Sequence, residues 1–346
     1  MNFKTILESG PVHASVPCRI DFGGTLDIST LYLPLNMVCP STVNIALDLR
    51  THVTLFPYQQ EKVKITSHGF EPAEFDRGKA PFNHPMGLMF SVAHFFDAHG
   101  VHIDIESTSP PRSALGGSSC AAVAIIAAFY HAMGKSIEPG EIAWLAHYLE
   151  ASVAGVPCGL QDQLAAAFGG INQWVWKMGK TSPEFERHPL IEQDSQTELF
   201  NSHILVAYCG VPHVSKDVNS RWVHSFVNGQ SRQVFEAIAG FTSAFAKAVA
   251  GFDLKSAAEL MNKETHARLE LTPDVLDHTG IDLFDAAWTC GCGARFTGAG
   301  GGGCLWAIGE QRDIEKLRPI WHKRLESINN AKILDTKIEN KGIIIG

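Results

Sequence analysis

Long apolar runs are missing from this chain of 346 residues. A membrane-spanning helix needs about 18 consecutive apolar residues. The longest candidate, Cys120 to Tyr130, is too short and lies mid-chain. The opening stretch MNFKTILESGPVHAS holds no sustained apolar run and does not look like a signal peptide. Clustered positive charge is missing too: no Lys/Arg run exceeds two or three residues, and the formal net charge is −8. Nucleic acid and anionic membrane surfaces are therefore poor partners. Cysteine pairs at zinc spacing are also lacking. Of eight cysteines only Cys290 and Cys292 lie close together, with no second pair to complete a site. Several others fall inside apolar runs, where a free thiol behaves as a small hydrophobe. The expectation is reduced thiols in a cytoplasmic protein. No G-x-x-x-x-G-K-[ST] sequence occurs, which removes a P-loop.

What is present describes an ordinary globular chain, 45% hydrophobic and 18% charged. Its length exceeds one ordinary core, so two domains are expected, residues 1–175 and 176–346. The early chain alternates in short runs: 12 to 24 around Arg19, 42 to 49, 51 to 57 and 62 to 66. These predict short, mostly antiparallel strands. Residues 87 to 99 have helical spacing, and 101 to 107 alternate as a strand. Helices are expected at 139–154 and 161–168, then strands at 171–176 and 203–208 with a polar, exposed connection. The second half reads as helical over 214–250 and 254–271. A strand–turn–strand follows over 294–308, then a helix at 313–327 and a final strand at 332–338.

The stretch from Ser107 to Met133 organises the rest. Pro110 and Pro111 end whatever precedes them. Gly116 and Gly117 permit a sharp turn, and Ser118 or Ser119 is a natural N-cap. The residues that follow are apolar on every face, which predicts a buried helix. A Gly/Ser loop feeding such a helix offers unpaired N–H groups and the positive end of a dipole, a site for phosphate. A plain helix-entry turn explains GGSS equally well, so the choice rests on the rest of the chain.

Three further features bear on that choice. The GAGGGG at 298–303 contains G-x-G-x-x-G, but CLWAI after it is a strand where a dinucleotide fold needs a helix. What remains is a glycine hairpin able to press against another element or a ligand. Glu150 ends one helix and Asp162 opens the next across a Gly/Pro turn, so both carboxylates can face one cleft. One suits Mg²⁺ and the other a hydroxyl proton; a solvated Glu and a capping Asp are the bland alternatives. Arg19, in an apolar strand, calls for a carboxylate partner.

These residues carry a resemblance. PPRSALGGSSCAA resembles the phosphate-binding motif of the GHMP small-molecule kinases, the galacto-, homoserine, mevalonate and phosphomevalonate kinase superfamily. VPCRIDFGGTLD resembles its N-terminal substrate motif, and GARFTGAGGGGCLWAI its C-terminal glycine motif. VAGVPCGLQDQLAAAFGGIN is similar to the catalytic segment of the sugar-kinase branch, in heptose-7-phosphate kinases, fucokinases and galactokinase. Together the four motifs span residues 16 to 308.

The resemblance implies an α+β, two-domain fold, with a ribosomal-protein-like N-terminal domain and a ferredoxin-like C-terminal one. It implies ATP and Mg²⁺ as cofactors, a small-molecule sugar substrate, and a monomer or homodimer. Amides of Ala114, Leu115, Gly116, Gly117, Ser118 and Ser119 would cradle the phosphates. Ser118 and Glu150 would hold the metal. Asp162 would act on the acceptor hydroxyl, with Arg19 beside the transferring phosphate. Asp27 and His213 would contact the sugar, and Gly300, Gly301, Gly302 and Gly303 would pack behind the loop. Gly117 stands where the family usually has serine, and Leu160 where heptose-7-phosphate kinases commonly carry lysine. A mevalonate- or homoserine-type kinase and a non-catalytic sugar or nucleotide sensor are the alternatives. The presence of both Glu150 and Asp162 favours an enzyme.

Overall fold

The computed structural model describes residues 1–155, 157–179, 183–212 and 216–346. Two one-turn helices, α1 (Phe3–Ile6) and α2 (Ser29–Tyr32), flank the first strand, β1 (Val12–Phe22). Its neighbour β2 runs unbroken over Ser41–Pro57, where alternation alone predicts two strands. The two halves are one strand because β1 pairs along its length, with a register shift at Pro17/Cys18 that bends the pair. The first half of β2 pairs with β6 (Ile171–Met178) and the second with β5 (Val101–Ser107). Beyond β5 lie β3 (Lys62–Ser67) and β4 (Ala73–Asp76). The β3–β5 pair is parallel, in an otherwise antiparallel sheet.

This eight-stranded sheet continues past residue 175. Strand β7 (Pro183–Ile191) pairs with β6, and α7 (Asp194–Phe200) follows, in the stretch expected to be an exposed connection. Sheet membership therefore changes between residues 191 and 204. Strand β12 (Ile344–Ile345) returns to the edge of β1. Arg50 helps to seal that return by donating to the carbonyls of Lys341 (3.0 Å) and Gly342 (2.6 Å).

Helices α3 (Gly87–Phe95), α4 (Gly117–Ala132), α5 (Pro139–Ala154) and α6 (Gln161–Phe168) belong to the first half of the molecule. The apolar run from Cys120 to Tyr130 is buried throughout, as its all-round hydrophobicity requires. Helix α4 packs on β1 and β2 and touches α5 and α6.

The second part carries α8 (Lys216–Val227), α9 (Arg232–Ala250), α10 (Leu254–Leu271), α11 (His278–Thr289) and α12 (Gln311–Leu325). These surround a four-stranded sheet of order β11-β8-β10-β9. Its strands are β8 (Ile204–Tyr208), β9 (Gly293–Phe296), β10 (Cys304–Ile308) and β11 (Lys332–Ile333). The final strand expected over 332–338 is thus only two residues long. The arrangement is the mixed α/β, two-domain one that the motifs imply. Among the described residues no helix is long and apolar enough to cross a membrane.

Candidate active site

Helix α4 starts without a serine cap. Its N-cap is Gly116, in the left-handed region at φ 81°, and no side chain bonds to the helix end there. The serine expected to cap is used elsewhere: Ser119 donates its hydroxyl to Glu150 Oε2 at 2.8 Å. Gly117 and Ser118 are exposed in the first turn. The amides of an exposed first turn face solvent with the positive end of the helix behind them, which suits an anion.

Glu150, near the end of α5, also accepts from Gln163 Nε2 at 2.6 Å, and Gln163 bridges to Ser119 Oγ at 3.3 Å. Burial pushes its carboxyl up to about 7 against these hydrogen bonds. The structure thus brings Glu150 to Ser119, whereas the motif assigns Ser118 to the metal. No cluster of three or more His, Cys, Asp or Glu able to hold a metal occurs among the described residues. A cation here would draw its remaining ligands from outside the protein.

Asp162, in the first turn of α6, faces the opening of α4. A Cβ placed on Gly116 would lie 3.4 Å from Asp162 Oδ2. Arg19 binds the other oxygen, with Nε at 2.8 Å and Nη2 at 2.7 Å from Oδ1. Oδ2 is left turned toward the loop. Burial raises the Asp162 carboxyl, and Arg19 pulls it part of the way back. The side chain is 23% exposed against 4% for Arg19, so the carboxylate is reachable and the guanidinium is sealed.

Arg19 is fixed from several sides. Its Nη1 donates to the Ala114 carbonyl at 2.6 Å and lies 3.6 Å from Asp21 Oδ1. Its backbone N–H donates to the Leu115 carbonyl at 3.1 Å, stitching β1 to the loop. Ala114 has φ 62°, a left-handed conformation that costs a non-glycine residue about 1–2 kcal/mol. These two bonds to the loop hold it there.

Asp27 is buried and caps α6 from a distant part of the chain. Its Oδ2 accepts from the Gln161 N–H at 3.0 Å, and Oδ1 is buried without a hydrogen-bond partner in the structure. Burial pushes this carboxyl up to about 7. His213 lies outside the described residues. In the glycine hairpin the packing differs from expectation. Gly300 lies against Val275 and Phe296, and Gly301 donates to the Val275 carbonyl at 2.8 Å. Gly302 meets the carbonyls of Val211 and Pro212. Only Gly298 and Gly303 abut the loop, where an added Cβ would sit 3.6 Å from Ala114 O and 2.7 Å from Ser113 O respectively. The Cys304 N–H donates to that Ser113 carbonyl at 2.9 Å.

Sequence reasoning passes over Asp21, Gln163 and Arg295. Asp21 accepts from the Gly298 N–H at 2.6 Å and from Arg295 at 3.0 Å. Each sits inside a motif, one position or a few from a residue singled out, and only the three-dimensional pairing reveals its use.

Residues 86–170, which carry the loop, Glu150 and Asp162, match the family model described as GHMP kinases N terminal domain. These residues are a GHMP kinase N-terminal domain. The chain is 28% identical over 300 residues to a mevalonate kinase of Pyrococcus abyssi, covering 78% of this chain and 83% of that one. It is 22% identical over 309 residues to a D-glycero-alpha-D-manno-heptose 7-phosphate kinase of Campylobacter jejuni, covering 85% and 88%. In structure it resembles Lactococcus lactis galactokinase complexed with galactose, with TM-score 0.73, 18% identity, and 99% and 97% of the two chains covered. With that domain and these relatives the chain is an ATP-dependent small-molecule kinase.

Proposed function

We propose that this GHMP kinase transfers the terminal phosphoryl group of ATP to a hydroxyl of a sugar or sugar phosphate, of heptose, fucose or galactose type. One observation carries the reading: Asp162 Oδ2 points at the open N-terminus of α4 while Arg19 grips Oδ1. Phosphates cradled by the amides of residues 114–119 would place the transferring group beside the Asp162–Arg19 pair, on the Oδ2 side. Oδ2 is free to accept the acceptor hydroxyl's hydrogen bond and orient it. Arg19 offsets charge that develops on the transferring group. Positioning and charge stabilisation then supply most of the rate.

The donors beside the loop suit Mg²⁺. Glu150 and a loop serine are hard oxygen ligands of the kind this ion takes alongside phosphate and water. A bound Mg²⁺ would neutralise phosphate charge. Ser119 is the serine already in contact with Glu150, and Ser118 lies one residue nearer the exposed turn. Asp27 supports a polyhydroxylated acceptor, because its buried Oδ1 is an unused polar atom. A second reading, a mevalonate-type acceptor, is favoured by the similarity to archaeal mevalonate kinases.

The test is coupled ADP release over galactose, fucose, mannose, heptose phosphates, mevalonate and homoserine. Turnover with a sugar is expected. Turnover with mevalonate alone would overturn the sugar assignment, and silence across the panel with ATP bound would overturn catalysis. Asp162→Asn should lower kcat by about a hundredfold or more while KM for ATP stays within about twofold. Unchanged kcat in that variant would remove Asp162 from the mechanism.

A further inference from the structure

Arg19 and Asp162 end a chain of alternating charge that begins in the other half of the molecule. Arg268, on α10, pairs with Glu264 at 2.9 Å. Glu264 pairs with Arg295 on β9 at 2.9 Å, and Arg295 with Asp21 on β1 at 3.0 Å. Asp21 faces Arg19 at 3.6 Å, and Arg19 binds Asp162. The side chains of Arg268, Glu264, Arg295 and Asp21 are 0% exposed.

We propose that Asp21 and Arg295 are positioning residues for phosphoryl transfer, through which α10 and β9 set the aim of Arg19 and hence of Asp162. The proposal rests on the kinase reading given above.

Stability alone is a weak reason for such a chain. Buried ion pairs are often no more stabilising than apolar residues of the same volume, although removing one partner leaves a costly unpaired charge. Geometry is the better reason. Asp21 is spoken for on both oxygens: Oδ1 accepts from the Gly298 N–H at 2.6 Å and Oδ2 accepts from Arg295. Its carbonyl accepts from Trp306 Nε1 at 3.0 Å. Asp21 therefore cannot swing, and Arg19 meets a fixed negative charge on the side opposite Asp162. Arg268 extends the clamp to the turn after β1, donating to Gly24 O at 2.8 Å and Thr25 Oγ1 at 3.0 Å. Misplacement of a catalytic group by about 1 Å can cost on the order of a hundredfold in rate.

The chain holds three positive and three negative groups, so removing one charge unbalances it and removing an adjacent pair does not. That separates positioning from stability. We would measure kcat, KM for ATP and Tm for wild type, Asp21→Asn, Arg295→Gln, the double variant and Arg295→Lys, with the acceptor found by the panel. Each neutral single variant should lower both Tm and kcat. The double variant should regain Tm toward wild type yet keep kcat at least about tenfold low, with KM for ATP within about twofold. Arg295→Lys, which keeps the charge, should recover kcat relative to Arg295→Gln. If the single variants do not fold, the double variant and Arg295→Lys still give the answer. Recovery of kcat together with Tm in the double variant would overturn the proposal. So would an Arg295→Lys no faster than Arg295→Gln at equal Tm, or a folded Asp21→Asn with wild-type kcat. A wild type silent on every acceptor would instead overturn the kinase reading.

Discussion

Helices α4 and α6 begin within a few ångströms of each other, and their N-termini are finished in opposite ways. Neither is capped by its own N-cap residue. At α6 the vacancy is filled from afar, by Asp27 bonding to the Gln161 N–H. At α4 nothing fills it, and Gly116 turns the chain so that the first-turn residues Gly117 and Ser118 stay exposed. One helix end is thus closed by a carboxylate oxygen from afar, and its neighbour is left bare. The bare end suits an anion, and a carboxylate at the other would repel one.

The contrast can be broken hardest at Gly159. A Cβ there would lie 1.7 Å from Asp27 Oδ2, so Gly159→Ala must drive the carboxylate out of its cap. A loss of about 2–4 kcal/mol in chemical denaturation is expected, combining overpacking with a lost cap. A loss under about 0.5 kcal/mol would mean that Asp27 is not wedged as described.

The Asp27 carboxyl sharpens the contrast through pH. Its value rises from 3.8 to about 7 on folding because burial disfavours the charged form. The stability it contributes is therefore complete below 3.8 and is lost as pH rises through about 7. Relative to Asp27→Asn, the wild type should lose on the order of a few kcal/mol between pH 4 and pH 7. Parallel stability curves for the two proteins over that window would show that the carboxyl is not shifted.

The smallest effects come from the glycines at the bare end. Gly116→Ala puts a side chain at φ 81° and 3.4 Å from Asp162, for a cost of about 1–2 kcal/mol and a lower kcat. Gly117→Ala meets nothing within 4 Å and should gain about 0.4–1 kcal/mol. Equal behaviour of the two variants would remove the special role of Gly116.

Much of this was legible in the sequence because the motifs are local. Arg19, Glu150 and Asp162 each sit in a recognisable segment, and the structure brings Arg19 to Asp162 and Ser119 to Glu150. The alternation of β3 and β5 and the all-round apolar face of α4 state their burial directly, whereas β1 is buried on both faces from Ala14 to Phe22. Three things were not legible, each for a physical reason. The cap expected at Ser118 or Ser119 falls at Gly116 because glycine's left-handed conformation ends the loop two or three residues earlier, which frees Ser119 for a tertiary bond. The continuity of β2 depends on partners that change from β6 to β5 along its length, and pairing leaves no mark on alternation. The charge chain joins Asp21 to Arg295, and an acid in a strand is not distinguishable by itself from a surface residue.

The return of β12 to β1 bears on how the site is made. Ser15 and Ile344 are paired across roughly 330 residues of chain, among the longest-range contacts a protein of this size can have. The strand that bears Arg19 acquires this edge partner only after both halves of the molecule have been synthesised. During translation β1 waits with an open edge, and the loop waits for Cys304, whose N–H bonds to the Ser113 carbonyl. Completion of this site therefore arrives late and together with the whole fold.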